Sequence, residues 1–212
     1  MMRTNSPDFS VKNHKVSNLP SQGAKNTAPM NIISRRGTKN RFITGLPGCG
    51  KTTLFKKLAE ELRHLWPVGF YTEEIREAGV RKGFGLRSLD GRQGVLAHVS
   101  FSGGSRVGKY GVDVAGFEKF LGEVSLGGPK AGLVMIDEIG RMECLSRLFQ
   151  RLVREILDSD RLLVATIAQR GGGLIEDVKR REDVRIYTLT LQNREAVLET
   201  ILAELQFPKT KH

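Results

Sequence analysis

The sequence predicts an α/β fold, a mostly parallel sheet flanked by helices with antiparallel hairpins inserted into it. Three observations carry that expectation. Strand-like and helix-like apolar spacings alternate along most of the chain, the order that builds parallel strands joined through helices. Gly132-Leu133-Val134-Met135-Ile136 and Leu162-Leu163-Val164-Ala165-Thr166-Ile167 are continuous apolar runs, as in strands covered on both faces. Gly45-Leu46-Pro47-Gly48-Cys49-Gly50-Lys51-Thr52-Thr53 fits the pattern G-x-x-x-x-G-K-[ST] at every fixed position, between a candidate strand and a candidate helix.

Taken in order, residues 1–39 are rich in Ser, Asn, Pro and Lys and lack apolar periodicity. They are expected to form a disordered basic tail ahead of one domain over 40–212. The net charge is +11, and residues 1–40 hold seven Lys or Arg against one acid, so the tail carries more than half the excess. Three readings of it stand side by side. It is a solvated extension, including a start set too early with Met30 as the true first residue. It is an organellar transit peptide, being basic and nearly free of acids. Or it is a nucleic-acid arm, though with little aromatic content to stack on bases.

Arg41 to Thr44 reads as a buried strand, and Leu54, Leu58, Leu62 and Leu65 fall at helical spacing after it. Trp66-Pro67 breaks that helix, and Val68 to Thr72 gives a second strand. Residues 75–101 mix short apolar stretches with Gly79, Gly83, Gly85, Gly91 and Gly94. The Asp90-Gly91 turn signal makes antiparallel hairpins the expectation there. Val107 to Val112 is a short strand or a loop. Asp113 caps a helix burying Phe117, Phe120, Leu121 and Val124, which Gly127-Gly128-Pro129 ends. The first apolar run terminates at Asp137-Glu138. An amphipathic helix with Leu145, Leu148, Phe149, Leu152, Val153 and Ile156 on one face precedes the second run. A short helix near Leu174 to Lys179, a strand from Val184 to Leu191 and a helix capped by Asn193 complete the chain.

The glycine-rich stretch makes this a nucleotide-binding chain. Glycines let successive backbone N–H groups curl around a phosphate, and the next helix adds its positive end. Lys51 is assigned to the β- and γ-phosphates and the Thr52 hydroxyl to Mg²⁺. Asp137, some 85 residues on at a strand end, is the second Mg²⁺ ligand. Glu138 beside it is assigned to polarising water for attack on the γ-phosphate. His14, His64, His98 and His212 show no metal-site spacing. Two cysteines, one inside the loop, argue against a disulfide framework and for a reducing, cytoplasmic setting. No run of about 18 apolar residues suggests a membrane span.

The motifs together resemble the cancer-related nucleoside-triphosphatase family. The matching pieces are Ile43 to Leu54, Gly69 to Glu74, Gly83-Phe84, Val107 to Tyr110, Ile136 to Gly140 with Met142-Glu143, and Asn193-Arg194. The resemblance covers about residues 41–205. It implies a RecA-like P-loop sheet and slow Mg²⁺-dependent hydrolysis of ATP, GTP and other triphosphates. Leu46 stands where the family usually has Pro, Cys49 where it has Val, and Arg141 where it has Lys. None of the three removes a phosphate or metal ligand.

Other assignments are open. Thr166 senses the γ-phosphate or is simply a strand residue. Arg141 and Arg170 are arginine fingers or surface arginines. Thr72-Glu73-Glu74 lines a substrate pocket at a strand end or carries solvated charges. Lys109-Tyr110 and Asn193-Arg194 are placed against base or ribose. The Cys49 thiol, near a helix N-terminus and Lys51, is expected to be reactive unless apolar packing prevails. The expected function is a monomeric nucleoside-triphosphatase of broad base tolerance, without membrane or nucleic-acid partners. The alternatives are a nucleotide or small-molecule kinase using the same loop, and an ATP-switched nucleic-acid-binding protein.

Overall fold

The computed structural model describes residues 38–205 apart from 127, 129 and 130; the expected tail lies outside the described residues except for Thr38 and Lys39, whose ammonium donates to the Ser159 carbonyl. The first half of the chain runs β1 (Asn40–Gly45), α1 (Lys51–Glu61), β2 (Val68–Glu77), β3 (Val80–Ser88), β4 (Gln93–His98), β5 (Arg106–Val107) and β6 (Tyr110–Val112). The second half runs α2 (Val114–Val124), β7 (Leu133–Ile139), α3 (Arg147–Asp158), β8 (Leu162–Ile167), α4 (Leu174–Lys179), β9 (Val184–Leu189) and α5 (Arg194–Leu205).

The strands form one sheet in the order β5-β6-β4-β3-β2-β7-β8-β1-β9. From β2 to β9 every ladder is parallel, and β1 lies between β8 and β9 with Gly45 opposite Leu189. From β2 outward to β5 every ladder is antiparallel, which is the predicted hairpin insertion. Its first turn, Ala78-Gly79, has positive φ at both residues (47° and 78°), the geometry that matches the twist of two paired strands.

Alternation along each strand sends side chains to two cores. On β1, Phe42 joins the cluster with Phe117, Phe149 and Ile175, under α2, α3 and α4. Its neighbour Ile43 joins Leu58, Val164 and Ile201, under α1 and α5. Two helix starts carry a side-chain cap, the predicted Asp113 and also Ser146, whereas the predicted cap of α5, Asn193, turns its side chain back to Thr190 and Thr188. Asp113 Oδ1 accepts from the Gly116 N–H at 2.8 Å, and Ser146 Oγ accepts from the Phe149 N–H at 3.0 Å. Glu204 on α5 accepts from Arg41 Nε of β1 at 2.7 Å, from Arg185 of β9 at 2.7 Å and from the Tyr187 hydroxyl. That carboxylate ties α5 to both strands near their N-terminal ends.

Several boundaries differ from expectation. β2 continues five residues past Thr72 because its second half pairs with β3. β7 does not stop at Asp137-Glu138 but reaches Ile139 through a register shift against β8. α2 ends at Val124, where Ser125 turns left-handed (φ 50°), before the glycine run. Leu145 belongs to a single 3-10 turn, Glu143–Leu145, ahead of α3.

Candidate active site

The C-terminal ends of β1, β7 and β8 are neighbours in the sheet, and the site is built at those three ends and on the loop and helix after β1. β1 finishes at Gly45, where no side chain fits. A Cβ there would stand 2.6 Å from the Leu189 carbonyl oxygen and 2.7 Å from Cys49 Sγ. Leu46, Pro47 and Gly48 form the exposed rim, and the Cys49 N–H returns to the Leu46 carbonyl at 3.2 Å. Gly50 closes the loop at φ 100°, a conformation open to glycine without steric cost. α1 begins at Lys51 with no capping side chain and no acid in its first turn, and Thr53 faces outward. The first N–H groups of this helix, and its positive dipole end, are therefore left for an anion.

Two further side chains of α1 reach inward. Lys51 Nζ donates to the Gly45 carbonyl at 3.1 Å and stands 4.0 Å from Glu138 Oε2. Thr52 Oγ1 donates to Asp137 Oδ2 at 2.6 Å, and the Thr166 hydroxyl, from β8, donates to Asp137 Oδ1. Asp137 is 1% exposed and forms no ion pair among the described residues. Burial pushes its carboxyl above the usual carboxylate range, against the two hydroxyl bonds and the Lys51 charge. Burial also raises Glu138, with Lys51 opposing and Asp137 reinforcing the shift. The peptide bond between Asp137 and Glu138 is cis.

Thr52 and Asp137 are hard oxygen donors side by side, which suits Mg²⁺. Among the described residues no cluster of three or more His, Cys, Asp or Glu could hold a metal alone.

The remaining candidates are distributed differently. Thr166 bonds Asp137. Glu73 is held by Lys56 at 2.7 Å and Arg87 at 3.2 Å, and Glu74 by Arg81 and Arg76. Hydrogen bonds from Lys56 and from Arg81 respectively keep both carboxyls below their usual range. Arg76, Arg81 and Arg87 pair within the β2–β3 hairpin and Lys56 reaches it from α1, with Thr72 half-buried beside them. Tyr110 is buried with its hydroxyl accepting from Arg81. It lies six strands from β1, roughly 29 Å at ordinary spacing, so it and Lys109 are beyond reach of a ligand in the loop. Arg141 and Arg170 are exposed after β7 and β8. The Cys49 thiol is 7% exposed and packs with Ile43 and Leu189, so apolar packing prevails over the predicted reactivity.

Three residues carry more than the spacing suggested. The Asn193 amide does not face outward: it accepts from the Thr190 N–H at 2.8 Å and donates to the Thr188 carbonyl at 2.9 Å. Arg194 Nε donates to the Cys49 carbonyl at 2.8 Å. Glu143, buried on its 3-10 turn, has a carboxyl pushed up to about 8, by burial first and by the charges of Glu138 and Asp137. Only its place next to Met142 in the family-like segment marked it in the sequence.

Comparisons with known proteins agree with this architecture. A family model described as NTPase matches residues 40–202. The Thermotoga sp. protein "Nucleoside-triphosphatase THEP1" is 46% identical over 78% of this chain and 95% of its own length. The human "Cancer-related nucleoside-triphosphatase" is 38% identical over 78% and 95%. The crystal structure of THEP1 from Aquifex aeolicus superposes with a TM-score of 0.69 at 36% identity, covering 79% of this chain and 99% of that one. The solution structure of the human protein gives 0.66 at 36%, covering 79% and 97%. Sheet order, phosphate loop and relatives converge: this chain belongs to the NTPase family.

Proposed function

We infer that the chain hydrolyses ATP, GTP and other nucleoside triphosphates to the diphosphate and phosphate, in a Mg²⁺-dependent reaction of broad base tolerance. One observation supports this most directly. The uncapped start of α1, the Thr52–Asp137 pair and Glu138 opposite Lys51 converge at the ends of three adjacent strands.

The residues divide the work. The segment Gly45 to Thr53 binds the phosphates through the backbone N–H groups that the loop and the start of α1 leave free, with Leu46 and Pro47 as the rim. Lys51 leaves the Gly45 carbonyl for the β- and γ-phosphates and neutralises charge there. Thr52 and Asp137 hold Mg²⁺, and Thr166 fixes the Asp137 carboxylate that does so. Mg²⁺, when bound, would supply positive charge to the triphosphate. Glu138 orients a water and accepts its proton as the γ-phosphate is attacked; its raised affinity for a proton suits a base. The Asn193 amide is occupied by backbone and so is not free to read a base edge, which favours tolerance among bases. Glu73 and Glu74, being ion-paired, offer no free carboxylate to a phosphate acceptor other than water.

The test is phosphate release from ATP, GTP, CTP and UTP with no acceptor added, in Mg²⁺ and in EDTA. Diphosphate and phosphate should appear in equal amounts from all four, and EDTA should stop both. Phosphate transfer only when an acceptor is supplied would make the protein a kinase.

A further inference from the structure

We propose that Arg194 is a positioning residue of the phosphate loop, holding the Cys49–Gly50 peptide in the orientation that binds phosphate. The inference rests on the triphosphate reading of the site. Arg194 opens α5, 145 residues from the loop in sequence, and its Nε–H meets the Cys49 carbonyl oxygen at 2.8 Å. A trans peptide points its C=O and N–H in opposite directions. With the Cys49 oxygen fixed toward Arg194, the Gly50 N–H is turned away from it, into the cradle formed with the start of α1.

The fixing is needed because of Gly50 itself. At φ 100° it has no Cβ to resist rotation of the peptide before it. A side chain there would displace the guanidinium, since a Cβ would lie 2.7 Å from Arg194 Nε and 2.9 Å from its Cζ. Glycine thus lets the guanidinium approach and at the same time leaves the peptide free to flip. In the flipped state the Cys49 carbonyl would face the phosphate, an acceptor against an anion. A bond from a charged donor is worth more than one between neutral groups, so it is suited to hold such a peptide. Arg194 has no acidic partner among the described residues that would draw it away. Its own backbone is anchored, since Asn193 is bonded to β9 and the Glu204 cluster ties α5 to β1.

Arginine at this place could instead read base or ribose, and the two roles separate by ligand. Binding of Mg²⁺–ATP and of Mg²⁺–tripolyphosphate, which has phosphates but no nucleoside, is measured for the parent, Arg194→Ala and Arg194→Lys. The alanine variant should weaken both ligands by the same factor, roughly 10- to 100-fold for one lost bond to a charged group. KM should rise by that factor with kcat nearly kept, and lysine should restore part of the loss. In ligand-free protein the Gly50 amide resonance should move in Arg194→Ala. ATP weakened with tripolyphosphate unchanged would overturn the proposal, as would parent affinity for both or an unmoved Gly50 amide. If the alanine variant does not fold, Arg194→Gln, with the stem kept and the charge removed, carries the same comparison. A parent that binds neither ligand overturns the triphosphate reading and this one with it.

Discussion

Asp137 and Glu138 are adjacent carboxylates with different surroundings, and their amide variants should fail in different ways. Glu138→Gln keeps the shape beside Lys51 but cannot take a proton. Hydrolysis should fall about 10²- to 10⁴-fold with Mg²⁺–ATP affinity kept. Asp137→Asn should instead raise the Mg²⁺ concentration needed for half-maximal rate. Parallel titrations of rate against ATP and Mg²⁺ check both. Cys49 fills a gap between Ile43 and Leu189. Native protein should therefore resist alkylation there, and Cys49→Val should retain turnover with stability within about 1.5 kcal/mol of the parent. Rapid labelling mapped to Cys49 by mass spectrometry would contradict its burial. Glu143 gives a pH signature. Unfolded, it ionises near 4.5; folded, it keeps its proton to about 8. Between those values the unfolded state has released a proton that the folded state holds, so stability falls as pH rises from 4.5 to 8. Glu143→Gln should flatten that part of the melting-temperature profile, measured without nucleotide or Mg²⁺.

At the scale of elements, periodicity located most strands and helices because each buries one regular face. It failed where long-range pairing decided. The extension of β2 to Glu77 depends on β3 lying beside it, and Glu73, Glu74 and Glu77 are poor strand formers by themselves. The site divides in the same way. Lys51, Thr52, Asp137 and Glu138 are legible because fixed spacing and a strand end announce them. The roles of Thr166, Arg194 and Glu143 come from contacts across strands that no local pattern encodes. Phe70 on β2 shows how such contacts accumulate. Its ring meets Phe117 and Phe120 at 5.8 Å and Phe149 at 6.3 Å, uniting a strand with two helices. Phe70→Ala should cost about 3–5 kcal/mol. For a chain of this size that lowers the melting temperature by on the order of 10 °C, seen by calorimetry.

For the molecule as a whole, the strand that carries the phosphate loop is paired only with late strands. β1 finds its neighbours in β8 and β9, and the loop is latched by α5. A chain ending at residue 180 keeps the entire G-x-x-x-x-G-K-T motif but lacks β9 and Arg194. It should bind no nucleotide and should be cut quickly by protease inside residues 40–60. Parent-like protection by Mg²⁺–ATP would show that the early segments fold alone. During synthesis, then, β1 emerges long before either strand that pairs with it. β8, the first strand to pair with β1, follows it by roughly 120 residues, which at usual rates takes on the order of 10 s. Through that time the nascent segment is an apolar strand with two open edges, the kind of surface that chaperones bind and that aggregates when they are scarce.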